Sequence, residues 1–345
     1  MGAYNINESM KVLFDCRIPY RFWHGGMQIQ IEHTKAAFEK LGVEVDHFRW
    51  WDTRQGGDLL HFWGTPTVPF VRAVQDSGMP VLVSPLFTAA CNYSDLKLGC
   101  HAVARRAISS VPVGRRIAED LGWTCYRAAN HVSVWLKAEK RVLSWEYGLS
   151  PAHVSVVPNG TSDAYLQAGP GQRSESHLIC PGTITASKRT VELAELAKAA
   201  EVPILFVGKP YAENDPYWKR FRPLIDDHWV KYHPHVESES ELVRLLQSAR
   251  GFVLMSMWEN WSLIAHEAAA CGLPLLVPDQ NWSRERFGSE ARYFARRDNR
   301  RRNTEILRQF YQDCPSLPPP KIRLWSWLEV AGQFRTIYQS LCASR

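Results

Sequence analysis

Short apolar runs of strand length alternate along this chain with stretches whose apolar residues recur every three to four positions, and one polar passage interrupts the series near its middle. Helices laid over a mostly parallel sheet satisfy such a pattern, so the chain reads as α/β. The pattern starts with KVLFD at 11–15, a buried strand; Ile31, Thr34, Phe38 and Leu41 then recur at helical spacing, Gly42 turns the chain, and 43–48 forms the next strand. LLHFWG at 59–64, an apolar helical stretch at 68–77 and VLVSP at 81–85 continue it. Residues 100–150 read as mainly helical, and HVSVVPNG at 153–160 ends this half as strand plus turn.

The interruption is TSDAYLQAGPGQRSESH at 161–177, a polar passage around Gly169, Pro170 and Gly171 that reads as a linker. LICPG at 178–182 restarts the alternation, followed by a helix near 189–200, a strand at 204–208, a helix at 238–248, a strand at 252–256, a helix from Ser262 and a strand at 275–278. Two doubly wound α/β domains facing one another therefore fit better than one barrel. The expected boundaries are 1–165 for an N-terminal domain and 175–324 for a C-terminal one, with 325–345 packing back on the first.

Composition removes several function classes. A chain of 345 residues with 45% hydrophobic content has material for sizeable cores, and its eight Cys lack Cys-x-x-Cys spacing, which favours reduced thiols over a disulfide scaffold or zinc ribbon. The opening MGAYNINESMKVLFD has no basic, apolar and cleavage-site succession, so a cytoplasmic protein is expected. No apolar run approaches the roughly 18 residues of a membrane span, so any membrane contact is peripheral, at the inner face. The formal charge of +6 suits anionic partners without selecting one. RRDNRRR at 296–302 reads first as a solvated basic face and PSLPPPKIR at 315–323 as a stiff extended connector. No nucleic-acid module accompanies them.

Two segments carry chemistry. In RIPYRFWHGGMQ, Gly25 and Gly26 precede a predicted helix, where small residues admit a phosphate to unpaired backbone N–H groups; an ordinary turn is the competing reading, and the segment is neither GxGxxG nor a P-loop. In MWENWSLIAHEAAACGLPLLVP at 257–278, Glu259 falls in a loop after a strand and Glu267 about one and a half turns into the following helix. The two carboxylates can address different hydroxyls, while N–H groups around Trp261, Ser262 and Leu263 face phosphate oxygens.

This E-x7-E segment resembles that of retaining GT-B glycosyltransferases of the large family 4 group, and AAACGLPLLVP resembles the helix, turn and strand that follow it there. GTITASK at 182–188, VVPNG at 156–160, the Gly25-Gly26 loop and WSWLEVAGQFRTIY at 325–338 extend the resemblance over most of the chain. It implies a GT-B architecture, two facing Rossmann-like domains around a central cleft, with the N-terminal domain on the acceptor side. It also implies that Lys188 contacts the sugar-nucleotide diphosphate, Glu267 the ribose and Glu259 the donor sugar. Asn260, Trp261, Ser262 and Leu263 would supply further sugar and diphosphate contacts, and Gly25 and Gly26 would close the phosphate site from the other domain.

The chain departs from the family pattern at three places. Thr183 stands where Arg is common after the loop glycine, removing a bidentate phosphate contact that Lys188 would share with Arg189 or Lys209. SPLFTAACNYSD lacks the family's sugar-contacting His, with His101 as a substitute, and Asp163 is displaced from the NGVD pattern. The implied reaction moves a hexose-like sugar from a nucleotide diphosphate to a hydroxyl with retention, by front-face attack and without a metal ion or other cofactor. Its acceptor is a carbohydrate, a lipid-linked saccharide or a small molecule. A GT-B binding or regulatory protein that recognises nucleotide sugars with weak or no catalysis is the alternative; an epimerase or phosphorylase is a further one. Trp258, Trp261, Trp325 and Trp327 either line a carbohydrate site or fill cores, and for the last two packing is the stronger reading.

Overall fold

The computed structural model describes residues 10–16, 25–296 and 299–343. The chain divides into two compact units, Met1–Gly160 with Trp325–Arg345, and Thr161–Leu324.

The first unit is built on six parallel strands in the order β2-β1-β3-β4-β5-β6: β1 (Lys11–Cys16), β2 (Glu44–His47), β3 (Leu59–Trp63), β4 (Val81–Ser84), β5 (His131–Val134) and β6 (Val154–Val156). Helices α1 (Gly26–Lys40), α2 (Val68–Asp76), α3 (Asp95–Ser110), α4 (Pro112–Asp120), α5 (Cys125–Ala128) and α6 (Lys137–Tyr147) connect them. Every residue of β3 and β4 is buried, as parallel strands covered on both faces require. Ile31, Thr34 and Phe38 are buried on α1, the face that their spacing predicted. Residues 100–150 are mainly helical, as expected, and strand β5 is the addition to that reading. HVSV is too short for its period to stand out between helices, and it is a strand because β4 and β6 pair with it on either side.

The second unit has the order β12-β11-β10-β7-β8-β9, again all parallel: β7 (Leu178–Pro181), β8 (Ile204–Val207), β9 (Val230–His233), β10 (Gly251–Val253), β11 (Leu275–Val277) and β12 (Arg292–Tyr293). Its helices are α7 (Asp163–Ala168), α8 (Thr190–Ala200), α9 (Pro216–Phe221), α10 (Glu239–Ser248), α11 (Leu263–Ala270), α12 (Asn281–Phe287) and α13 (Arg300–Asp313). The passage read as a linker belongs to the body of this unit. Tyr165 on α7 is buried, and Gln247 Nε2 donates to the carbonyls of Ala168 and Gly169. Strand β9 and helices α9, α12 and α13, absent from the sequence reading, are amphipathic or short pieces whose burial comes from neighbours distant in the chain. Arg300, Arg301 and Arg302 are exposed in the first turn of α13, capped by Asn299, which agrees with a solvated face; Arg297 and Asp298 of the same run lie outside the described residues.

Beyond the Pro-rich connector, α14 (Trp327–Ala343) returns to the first unit and packs on α1. Tyr338 stacks on Phe38, with centroids 5.2 Å apart, and its hydroxyl lies 2.7 Å from Nδ1 of the buried His61. Trp327 is buried and stacks on His33, so it fills a core, while Trp325 is half-buried.

Candidate functional site

In the second unit the strand order reverses between β7 and β10, since β8 and β9 follow on one side and β11 and β12 on the other. Loops leaving such a pair diverge above and below the sheet and open a crevice at its carboxyl edge. The loop after β7 carries Thr183, Lys188 and Arg189; the loop after β10 carries Glu259 and Asn260. The two loops touch through the backbone, Met257 N donating to Ser187 O at 2.7 Å, and Lys188 Nζ forms a direct ion pair with Glu259 Oε1. Both side chains are mostly covered, at 26% and 12% exposure.

The loop after β7 is held tightly. Gly182 N donates to Val207 O, and Ile184 N donates to Lys209 O at 3.1 Å. A Cβ at Gly208 would lie 1.9 Å from Gly182 O, so the strand ends of β7 and β8 approach as only a glycine permits. Thr183 and Lys188 are half-buried, as is Arg189, which takes a left-handed conformation at φ 54 immediately before α8; the Lys209 side chain is exposed.

The loop after β10 turns into α11 at Ser262, with Leu263 as its first helical residue. Asn260, Trp261 and Ser262 are buried. The Ser262 hydroxyl does not cap the helix and, among the described residues, has no hydrogen-bond partner. One turn later, His266 fixes this corner. Its Nδ1 bonds Ser262 O at 2.7 Å, its Nε2 accepts from Arg286 Nε at 3.1 Å, and its ring stacks on Trp261 at 4.4 Å with planes 4° apart. The Arg286 guanidinium also lies over the Trp261 ring, 4.6 Å from the centroid. Burial and then the Arg286 charge push His266 down to about 3, and burial brings Arg286 down to about 10. His266 is therefore neutral, with its proton on Nδ1 to match the carbonyl it faces. Gln280 Nε2 bonds the carbonyls of Ser256 and Met257. These supporting residues were not legible: His266 lies inside the E-x7-E segment without a signal of its own, and Gln280 and Arg286 come from α12 and its N-terminal edge.

Glu267 is half-buried on α11, and among the described residues no group donates a hydrogen bond to its carboxylate. Desolvation, reinforced by the neighbouring Glu239, pushes its pKa up to about 8. Glu239 itself accepts from Ser162 Oγ at 2.8 Å. A covered carboxylate without a donor is poised to accept hydroxyl hydrogens from a ligand.

The remaining sequence candidates lie in the first unit. Gly25 and Gly26 begin α1, and residues 17–24 of the loop before them lie outside the described residues. His101 is on α3, its Nδ1 3.4 Å from the buried carboxylate of Glu146, which Arg105 also contacts at 3.2 Å. Tyr93 packs edge-on against the His101 ring. The first unit also holds a feature absent from the sequence reading. Its strand order reverses between β1 and β3, and there a cavity of about 510 Å³ is walled by Phe48, Trp50, Phe62 and Phe70 with Asp15 among its lining residues. Burial pushes the Asp15 carboxyl up to about 6 against the backbone N–H of Cys16 and the Trp50 indole, and Oδ2 has no hydrogen bond of ordinary geometry. Trp50 stacks on Phe70 at 5.1 Å and stays 67% exposed. Among the described residues, no group of three or more His, Cys, Asp or Glu could hold a metal ion.

Known proteins agree with this architecture. The structure of Anabaena HepE in complex with UDP superimposes with a TM-score of 0.64 at 14% identity, over 96% of this chain and all of that one. Sucrose-phosphate synthase from Thermosynechococcus elongatus gives 0.65 at 14% identity, over 97% and 100%. The chain carries the GT-B fold. Within it, residues 180–313 match the sequence model of the family described as Glycosyl transferases group 1. That GT-B segment includes Thr183, Lys188, Glu259 and Glu267. A curated relative, the GDP-mannose:cellobiosyl-diphosphopolyprenol alpha-mannosyltransferase of Xanthomonas campestris, is 27% identical over 140 residues, 38% of this chain. The match spans about a third of that relative, 36% of its length.

Proposed function

We propose that this protein is a retaining glycosyltransferase that moves a hexose-like sugar from a nucleotide diphosphate to an acceptor hydroxyl. The observation that carries the reading is the meeting of Lys188 and Glu259 at the switch point of the second sheet, beside α11, where Glu267 has no hydrogen-bond donor among the described residues. In this reading the Lys188 ammonium leaves Glu259 for the diphosphate and neutralises charge as the glycosidic bond breaks. Glu259, released, takes hydroxyls of the donor sugar, and Glu267 accepts from the ribose. The Ser262 hydroxyl and the first N–H groups of α11, aided by the helix dipole, hold phosphate oxygens. Arg189 and Thr183 border that place, and the N–H groups of Asn260, Trp261 and Leu263 are further ligands. Gly25 and Gly26, at the start of α1, remain phosphate candidates by resemblance alone. His101 is assigned to the sugar by resemblance alone, and Glu146 offers it a structural partner instead.

The first unit takes the acceptor in this reading, and the cavity at its own switch point has suitable chemistry: aromatic faces for a sugar ring and a carboxylate for its hydroxyls. The acceptor is a carbohydrate, a lipid-linked saccharide or a small molecule, and the reading includes peripheral contact with a membrane. The diphosphopolyprenol in the relative's name supports a lipid-linked acceptor, and the GDP-mannose in that name, against the UDP bound to HepE, keeps the donor base open.

Calorimetric titration of UDP-, GDP-, ADP- and TDP-sugars, each beside its free nucleotide diphosphate, tests the assignment. One donor is expected to bind selectively. Lys188→Ala is expected to weaken that donor and its free diphosphate together by at least about tenfold, the scale of a charge-assisted contact. Glu259→Gln should weaken the sugar-bearing donor more than the free diphosphate. Folded protein that binds none of the donors would sink the assignment. Binding without transfer or hydrolysis over a broad acceptor panel would favour the non-catalytic reading, which Thr183 motivates.

A further inference from the structure

The loop after β2 is pinned while it keeps an aromatic face in water. Arg49 pairs with Asp46 at 2.6 Å and with Asp52 at 2.9 Å, and its backbone N donates to Gln55 Oε1 at 2.7 Å. Gln55 Nε2 in turn donates to His47 O at 2.8 Å and to Asp46 at 3.1 Å. Trp50 sits among these anchors. Its indole stacks on Phe70 with planes 22° apart, and Phe48 packs edge-on against both rings, at 5.8 Å and 5.9 Å. Phe62 braces Phe70 edge-on at 5.6 Å. Trp50 nevertheless stays mostly exposed, an arrangement that the burial of apolar surface does not favour. A large ring fixed by its neighbours with an open face is a platform for an apolar surface that a ligand brings.

The cavity that Trp50 lines also holds a carboxylate in need of donors. Asp15 is only 9% exposed; its Oδ1 accepts from Cys16 N at 2.8 Å, and its Oδ2 has no hydrogen bond of ordinary geometry. Among the described residues, no Lys or Arg lines the cavity. Arg49 is turned to Asp46 and Asp52, and desolvation with the Lys35 charge shifts His47 toward its neutral form. The hydroxyls of the wall are engaged, Thr65 Oγ1 with the Tyr126 hydroxyl at 2.9 Å and Thr67 Oγ1 as the cap of α2. An occupant must therefore bring both an apolar face and hydrogen-bond donors. A wholly apolar molecule would seal in an unpaired carboxylate, and an anion would oppose its charge. An ammonium would shed its own hydration for a buried pair that returns little. A pyranose brings C–H groups on one face and hydroxyl donors around its edge.

We infer that this cavity binds an uncharged pyranose ring, stacked on Trp50 with a hydroxyl donating to the Asp15 carboxylate. The first unit then recognises the sugar itself, rather than a lipid or a phosphate attached to it. The inference deepens the transferase reading, on which it rests only for calling the occupant the acceptor. Saturation-transfer NMR on the full chain without nucleotide tests it. The probes are cellobiose and the methyl glycosides of glucose, galactose and mannose, beside glucosamine, glucose phosphate and phenol. At least one neutral glycoside is expected to bind, with saturation strongest on the protons of one ring face. Asp15→Asn keeps the bond from Cys16 N and turns the other oxygen into a donor. It should weaken that glycoside by at least about tenfold, the scale of a hydrogen bond to a charged group. Trp50→Ala should weaken it about tenfold and erase the one-face pattern, and Trp50→Phe should restore most of both. Far-ultraviolet circular dichroism establishes that each variant is folded. No glycoside bound by folded wild type, or binding untouched by Asp15→Asn and Trp50→Ala, would overturn the site. Binding of glucosamine alone would assign the carboxylate to an ammonium, and binding of phenol alone would assign the cavity to an aromatic ligand; either result overturns the inference, as does glucose phosphate binding more tightly than methyl glucoside. Because no nucleotide is used, failure here leaves the donor assignment standing. A chain that binds glycosides but no donor would fail the transferase reading and keep this site.

Discussion

Glu267 shows how one residue carries a claim that its sequence neighbours cannot. A glutamate in the second turn of a helix is ordinarily a solvated charge, yet here it is covered, faces Glu239 and sits at about 8 rather than the usual 4.5. The folded chain therefore holds one more proton than the unfolded chain between those values. Its contribution to stability is complete below about 4.5 and is lost as pH rises through about 8. Glu267→Gln should remove that part of the slope, so thermal unfolding from about pH 5 to 9 should fall less steeply in the variant than in wild type. Ribose hydroxyls favour the ionised form, so donor binding near pH 7 should release close to one proton, read by calorimetry in buffers of different ionisation enthalpy. Glu267→Gln should bind more weakly and without that release. A buffer-independent enthalpy in both proteins would remove Glu267 from the ribose.

At the scale of elements, the donor-side loops depend on how closely two strand ends approach. The β7 and β8 ends meet at Gly182 and Gly208, and Ile184 is tied to Lys209 two residues beyond the β8 strand. Gly208→Ala forces a side chain against backbone that cannot yield locally, so the loop from 182 to 189 must shift. The expected cost is about 1–3 kcal/mol in denaturant unfolding, typical of overpacking, with donor affinity reduced although Gly208 contacts no donor atom in the proposed pose. Gly169→Ala, where an added methyl would meet nothing within 4 Å, is the contrast for crowding, although its φ of 63 carries a backbone penalty of its own. Wild-type affinity in folded Gly208→Ala would show that the loop is positioned by other means.

At the scale of the molecule, the first unit is closed by residues from the far end of the chain. Tyr338 on α14 supplies the hydroxyl beside Nδ1 of His61, whose Nε2 meets Ser84 Oγ at 2.6 Å. His61 is fully buried, which holds its pKa well below the ordinary value. Tyr338→Phe leaves a buried ring nitrogen unpaired and is expected to cost about 1–3 kcal/mol. The loss should appear in unfolding of the first unit, followed by near-ultraviolet circular dichroism in urea, while donor binding by the second unit is preserved at low denaturant. An unchanged unfolding midpoint would mean that water replaces the hydroxyl.

The α/β class, the positions of most strands along the chain and the E-x7-E pair were determined by the sequence, because period and spacing are local properties that survive without tertiary contacts. VVPNG and LICPG marked strand ends for the same reason. Strand β5 was hidden, since four residues of HVSV carry too little periodicity and become a strand only between β4 and β6. The Gly169-Pro170-Gly171 passage looked like a linker because its composition is polar; Gln247 and the burial of Tyr165 make it part of a packed unit. Local pattern also gave no sign that Lys188 meets Glu259 across 71 residues, that Arg286 and His266 brace Trp261, or that Asp15 lines an aromatic cavity. Those features depend on which strands become neighbours, and strand order is selected by the burial of whole faces rather than by any one segment.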